Sequence, residues 1–295
     1  MNCTLLLHST TGNTRLLARL ARTLLEERGH ACAIHDIVKR AEPPGLEQTE
    51  LLIVAAPTMY FRVTHAMERF VAGLAPVDGP RPALLLGTCA GEPGAHFELL
   101  ARDLRPKGWA VQGAHWEMMP TNWPPHRRFA RPFALGAPVA QKIGRLLPAS
   151  RPLLSLAFPD VGVPLEPRER LERFLERTLA RTGEPSEAPA PETLHRALPG
   201  MAELGRFMKV EMMRKATDPS IDAGRCSRCG TCVSVCPVGC ITRSDEEAVP
   251  VVGHSCTGCW ACFNHCPEGA ISGWFSPAGA CQYRAPAREV RRLFR

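Results

Sequence analysis

Eight cysteines carry the most specific chemical signal in this 295-residue chain. The stretch CSRCGTCVSVCP at 226–237 returns as CTGCWACFNHCP at 256–267, and both read Cys-x2-Cys-x2-Cys-x3-Cys-Pro. A small residue and an isoleucine follow each copy, as GCI at 239–241 and GAI at 269–271. Thiolates are soft anionic donors, and four of them complete a [4Fe–4S] cluster. Structural zinc also uses Cys-x2-Cys pairs, but four ligands satisfy it. Zinc does not account for a third cysteine at x2 and a Cys-Pro at x3, twice. Ten of the thirteen cysteines lie after residue 225, and that clustering points to metal rather than to disulfides. Cys240 and His265 fall outside the pattern and read as a packed thiol and a packed or exposed imidazole.

Residues 221–275 closely resemble the bacterial two-[4Fe–4S] ferredoxins. In that arrangement the first three cysteines of a run and the fourth of the other run share a cluster. The resemblance implies that Cys226, Cys229, Cys232 and Cys266 hold one cluster, and that Cys256, Cys259, Cys262 and Cys236 hold the second. It further implies a small pseudo-symmetric α+β fold and one-electron transfer at low potential.

A second constellation lies near the start. Ser9-Thr10-Thr11-Gly12-Asn13-Thr14 joins an apolar run, CTLLLH at 3–8, to a segment of helical period. Hydroxyls, a glycine and helix N-terminal amides form a cradle for a phosphate. No Lys follows the glycine, so a nucleotide-hydrolysing P-loop is excluded, and no G-x-G-x-x-G appears. The same residues also suit a plain helix-capping turn. The stretch resembles the phosphate loop of flavodoxins, which implies bound FMN. Two further loops fall where such a fold needs them, Pro57-Thr58-Met59-Tyr60-Phe61 and Thr88-Cys89-Ala90-Gly91. Tyr60 or Phe61 would stack on the isoalloxazine ring, and the small residues of the second loop would let backbone approach its edge. Cys89 reads as an incidental small residue in a turn. Met118 to Trp123 either line the same site or simply end a strand.

The elements that must position these loops alternate. Leu16, Leu17, Leu20, Leu24 and Leu25 set a helical period over 14–28, and Gly29 stops it. Strands are expected at 31–37, 51–56, 83–87 and 109–117, with helices at about 64–74 and 94–106. Continuous apolar strands alternating with helices imply a parallel sheet covered on both faces. The expected fold class is therefore an α/β flavodoxin-like doubly wound parallel sheet, order 2-1-3-4-5, followed by a small α+β 2[4Fe–4S] ferredoxin domain.

The organisation follows as a flavodoxin-like domain over 1–182, a linker and connecting helix over 183–220, the ferredoxin domain over 221–275 and a basic tail over 276–295. Residues 121–165, rich in Pro and Arg, read as a surface excursion with a short helix near 138–147. Leu171, Phe174, Leu175 and Leu179 place the first domain's last helix at 167–182, and 183–192 (GEPSEAPAPE) is a linker by composition. The tail, with five arginines against Glu289, is expected to be solvated.

Bulk properties exclude several classes. The longest apolar runs, at 51–59 and 152–158, are too short to span a bilayer. The start MNCTLLLHSTTGN lacks the features of a signal peptide, so a cytoplasmic location is expected. The net charge of +7 is carried mostly by 31 arginines without interleaved aromatics, so no nucleic-acid partner is expected.

Taken together, the flavodoxin-like half, the M-P-x-N-W stretch at 119–123, the two-cluster half and the tail Gln282-Tyr283-Arg284-Ala285-Pro286 resemble the EFR1 family of flavodoxin–ferredoxin fusions. The resemblance implies electron transfer between two [4Fe–4S] clusters and FMN, with a redox protein or a small-molecule acceptor as partner. An FMN-dependent reductase or dehydrogenase acting on a quinone, a porphyrinogen or another organic acceptor is one alternative. A ferredoxin with a flavin-free docking domain is another. No acid–base pair or nucleophile triad stands out.

Overall fold

The computed structural model describes residues 1–130, 137–151, 154, 158, 164–181, 189–195, 197–274 and 276–295. Most of the expected linker at 183–192 and of the apolar run at 152–158 lies outside the described residues, as does part of the excursion at 121–165.

Strands β1 (Asn2–Leu7), β2 (Ala31–Asp36), β3 (Leu51–Met59), β4 (Arg62–Val63), β5 (Arg81–Cys89) and β6 (Trp109–Met118) form one sheet of order β2-β1-β3-β5-β6. These five pair in parallel, and the two-residue β4 folds back antiparallel on β3. With β4 set aside the order is the expected 2-1-3-4-5 of a flavodoxin-like sheet.

Successive side chains alternate across the sheet. Leu5 and Leu7 of β1, Ile53 and Ala55 of β3, and Leu84 and Leu86 of β5 pack on one face with Leu17, Leu20 and Leu24 of α1 (Asn13–Glu27). Leu6, Leu52, Val54, Ala83 and Leu85 pack on the other, against Met67 and Phe70 of α2 (His65–Ala72) and Leu100 and Leu104 of α3 (His96–Leu104). Both faces are therefore dry. β3 and β5 run further than expected, because their ladder continues through Ala56↔Gly87 and Pro57↔Thr88. Pro57, Thr58, Met59, Thr88 and Cys89 are strand ends, not loop residues.

The excursion after β6 contains α4 (Pro124–Ala130), α5 (Ala137–Leu146) and a 3-10 turn at Pro148–Ser150. Next, α6 (Pro167–Leu179) closes the α1 face with Leu171, Phe174 and Leu175. A single connecting helix is expected across roughly 193–216. The structure has two, α7 (Met201–Phe207) and α8 (Val210–Thr217). Met208 turns extended between them, and its carbonyl accepts from the buried Arg62 guanidinium instead of from a helical amide.

The cysteine half is built from two antiparallel pairs, β7 (Ser220–Ile221) with β10 (Ile271–Ser272) and β8 (Ile241–Thr242) with β9 (Val251–Val252). Two short helices, α9 (Thr231–Ser234) and α10 (Ala261–His265), carry the third cysteine of each motif. Its core joins Trp260, Phe263, Ile241 and Ile271 to Met213 of α8 and Met59 of β3.

The C-terminal segment departs from the expectation of a solvated tail. Residues 288–292 form α11 (Arg288–Arg292), and Val290 and Phe294 are buried in the α1 face of the first domain. The apolar spacing of Val290 and Phe294, four residues apart among arginines, is the signal that could have shown this. Truncating a buried Phe costs about 3 kcal/mol. Phe294→Ala should lower stability by roughly that amount in urea unfolding, whereas Leu293→Ala, at a more exposed position, should stay within about 0.5 kcal/mol.

Candidate functional site

A cavity of about 790 Å³ opens at the carboxyl ends of the parallel strands. Ligands of open α/β sheets sit there, and small-molecule pockets fall in a range of about 300–1,000 Å³. The structure brings to its wall Ser9, Thr10, Thr11, Asn13, Thr14, Pro57, Thr58, Met59, Tyr60, Phe61, Thr88, Cys89, Ala90 and Gly91. Met119 to Trp123 line it as well. Of the anticipated loop residues Gly12 alone is not part of the lining.

The loop after β1 is organised to donate. Gly12 adopts φ +101°, and a Cβ there would meet the Pro286 ring at 3.1 Å. Ser9 Oγ accepts from the backbone N–H of Gly12 and of Arg15, each at 3.2 Å. The Asn122 amide donates to Thr10 Oγ1 at 2.7 Å and to Thr11 Oγ1 at 3.2 Å. Each of these hydroxyls accepts from protein and so retains its own proton for a ligand. Asn13 and Thr14 open α1, where a helix leaves amides without intrahelical partners, and the N-cap residue is Gly12, so Ser9 takes only the Arg15 amide of this first turn. Buried donors and the positive end of a helix fit a phosphate. Thr14 and Thr88 join through their hydroxyls at 2.8 Å, which ties the first loop to the end of β5.

Tyr60 and Phe61 form the two-residue turn between β3 and β4, with φ of 53° and 61°. Two successive positive φ values match a type I′ hairpin, which ordinarily takes Asn-Gly. Left-handed backbone costs about 1–2 kcal/mol per non-glycine residue, so two aromatics here mark strain at a functional edge. Their surroundings fix the turn. Phe61 O accepts from Ala95 N at 2.9 Å, and a Cβ on Gly94 or Gly205 would run into that carbonyl. The buried Arg62 guanidinium reaches Gly205 O, Met208 O and Glu68. Burial raises the Tyr60 phenol pKa above its usual range.

Two buried imidazoles brace the wall. His8 Nδ1 meets Thr64 Oγ1 at 2.7 Å, and His96 Nδ1 meets Thr58 Oγ1 at 2.9 Å. Both rings are fully buried, and desolvation lowers their pKa values to about 4 and about 3. Sequence reasoning passed over both, because a lone histidine after a strand carries no spacing signal. Cys89 is buried at the cavity edge, and desolvation pushes its thiol well above the ordinary range.

The eight motif cysteines divide between two smaller cavities. Cys226, Cys229, Cys232 and Cys266 line one, and Cys236, Cys256, Cys259 and Cys262 line the other. Each cavity thus takes three cysteines from one motif and the fourth from the other. Backbone amides reach the fourth sulfurs, Cys240 N to Cys236 Sγ at 3.3 Å and Ala270 N to Cys266 Sγ at 3.2 Å. Four soft donors around a closed space, with N–H groups on the sulfurs, fit an iron–sulfur cluster. Cys240 lines the second cavity too, with its sulfur 3.5 Å from that of Cys236.

The repeat is symmetric in sequence and asymmetric in setting. Cys229 is exposed and Cys226 half-buried, whereas Cys256 and Cys259 are buried. The second motif faces the large cavity. Trp260 Nε1 donates to Tyr60 Oη at 3.3 Å, and Tyr60 meets the Trp123 ring edge-on at 5.9 Å between centroids. His265 Nε2 donates to Thr10 O at 2.7 Å, and Asn264 Nδ2 to Asn122 O at 2.9 Å. The C-terminal segment grips both halves. Tyr283 Oη donates to Asn13 Oδ1 at 2.8 Å, and the Gln282 amide donates to Phe263 O and Cys266 O.

The 4Fe-4S dicluster domain family matches residues 225–271. None of the curated proteins compared matches the chain. Among solved structures, an archaeal flavodoxin is 22% identical, covering 41% of this chain and 87% of its own, with a TM-score of 0.34. The flavodoxin of Streptococcus pneumonia TIGR4 is 14% identical over 61% of this chain and 99% of its own, with a TM-score of 0.39. Flavodoxin 1 of Bacillus cereus is 20% identical over 39% and 83%, at 0.34. The match to a 4Fe-4S dicluster domain over residues 225–271 supports a role in electron transfer.

The two buried histidines set a pH test. Their folded pKa values lie below the unfolded value near 6.5, so the unfolded chain binds more protons as pH falls. Their share of stability is intact above about 6.5 and declines toward pH 4, by up to about 1.4 kcal/mol per unit for each ring. NMR should show both imidazoles still neutral at pH 5; a midpoint near 6.5 for either would contradict the burial argument.

Proposed function

We propose that the chain is an EFR1-type flavo-iron–sulfur protein that relays electrons between two [4Fe–4S] clusters and FMN held in the large cavity, and on to a redox partner. The contact between Trp260 and Tyr60 carries this reading. Trp260 follows Cys259 in the second motif, and Tyr60 lines the large cavity, so one hydrogen bond joins the walls of both sites. Bound there, FMN would exchange one or two electrons, and each cluster one.

The chain's own residues then divide the work. Ser9 to Thr14 hold the phosphate, and Tyr60, Phe61 and the end of β5 border the ring. Cys256, Cys259, Cys262 and Cys236 hold the inner cluster. Cys226, Cys229, Cys232 and Cys266 hold the outer one, whose exposed Cys229 faces the surface where a redox protein would dock. The thiol-rich composition suits a reducing compartment, the cytoplasm. Among the described residues no helix is long and apolar enough to cross a membrane.

A second reading, an FMN-dependent reductase for an organic acceptor, draws support from the cavity's far wall. There His126, Phe129, Ala149, Leu198 and Met201 line space beyond the flavin-type loops. Turnover with a quinone would favour that reading over a plain carrier.

Protein purified without oxygen should contain about eight irons and about one FMN per chain. Eight irons without flavin, even after FMN is added, would leave a ferredoxin with a docking domain. Crossed ligation has its own signature in the electron paramagnetic resonance of the reduced protein. Cys236→Ala should disturb the same cluster signal as Cys259→Ala, and Cys266→Ala the same signal as Cys229→Ala. Grouping by motif instead would refute the crossed assignment.

A further inference from the structure

Exposed apolar surface is concentrated around one opening. Among the described residues eleven large hydrophobic side chains are left exposed, and eight of them fall in 129–147 and 198–207. Both segments border the large cavity, through Phe129 on one side and Leu198 and Met201 on the other, and Ala149, just past the first, lines it too. Helix α5 contributes most. Val139, Ile143 and Leu146 repeat at four and three residues, and Leu147 follows. At helical pitch these four share an arc of roughly 100°. Their exposures run from 40% to 72%. Such a stripe normally faces a protein core; on α5 it faces outward.

Charge in this region has one sign. Between Met119 and Pro159 the sequence holds five Arg and one Lys, and no Asp or Glu. Arg151 is buried and Arg127 lies over the Tyr283 ring; on α5, among the described residues, Lys142 and Arg145 are exposed. Lys142 and Arg145 lie along one edge of the apolar stripe on the same helix.

We propose that α5 and the rim of the cavity dock on an anionic phospholipid bilayer. Aliphatic side chains on one face, cations beside them and no carboxylate are the make-up of a helix that lies in the membrane interface. Lys142 and Arg145 beside the stripe, with no carboxylate on α5, complement the charge of an anionic surface. Docked this way, the cavity mouth meets the headgroups, and a compound entering it would come from the lipid phase. The inference goes beyond the electron relay and stands whether or not the cavity holds a flavin.

The test uses the full, iron-loaded chain and flotation with lipid vesicles at about 0.1 M salt. Vesicles containing phosphatidylglycerol should carry the protein, and pure phosphatidylcholine should bind about tenfold more weakly or worse. A Leu146→Ser, Leu147→Ser double variant should lose about tenfold in binding while its iron–sulfur absorption is unchanged, which separates docking from folding. No binding to anionic vesicles, or binding that the variant leaves intact, would overturn the proposal. So would a vesicle-free dimer that the same variant dissolves, which would assign the surface to a second copy. Affinity for an acidic protein without affinity for vesicles would overturn it as well.

Discussion

The Tyr60–Phe61 turn is the constraint on which the arrangement of the two halves depends. Both residues hold left-handed backbone, a conformation that favours glycine or asparagine. The turn persists because it is gripped from several sides. Ala95 binds the Phe61 carbonyl, two glycines leave room for it, and Arg62 anchors the following segment to the α7–α8 break. What the strain achieves is placement. Tyr60 stands where one side chain touches the large cavity, Trp123, Thr217 and the Trp260 of the second cysteine motif. A relaxed Asn-Gly turn would pair the strands equally well and leave that junction empty.

Much of this was legible in the residues. The sheet could be read because its strands are short apolar runs between helical periods, and periodicity is local. The eight cysteines could be read because thiolate ligation demands both residue type and spacing, and the structure brings them together in the crossed sets. The strands end later than expected, at Pro57–Met59 and Thr88–Cys89, because ladder pairing, a long-range property, outweighs the turn propensity of Pro57. The break at Met208 was invisible for a related reason. It follows from a carbonyl taken by Arg62, nearly 150 residues earlier in the chain. His8 and His96 gave no signal, since burial and a single threonine partner define them.

The repeat shows how far a symmetric sequence can diverge in role. Gly230 and Trp260 hold equivalent places before α9 and α10, and both have positive φ. In the first copy glycine meets this at little cost, and the motif stays open to solvent around Cys229. In the second copy a tryptophan accepts the same strained backbone, and its buried ring turns the motif into an interface with the first domain. The two cysteine sets thus acquire different surroundings, one open to solvent and one set against the first domain.

The burial of Val290 and Phe294 in the first domain bears on how the protein is born. Translation proceeds from the N-terminus, and domains tend to fold in the order they emerge. Here the first half's α1 face is completed by residues made after both cysteine motifs. A nascent first domain therefore reaches its finished packing only once the ferredoxin segment has left the ribosome. A chain arrested before that point would expose the part of the α1 face that Val290 and Phe294 complete, a surface that chaperones and proteases recognise. Quality control would thus fall on the whole chain, and a first half made without the cysteine half would not accumulate.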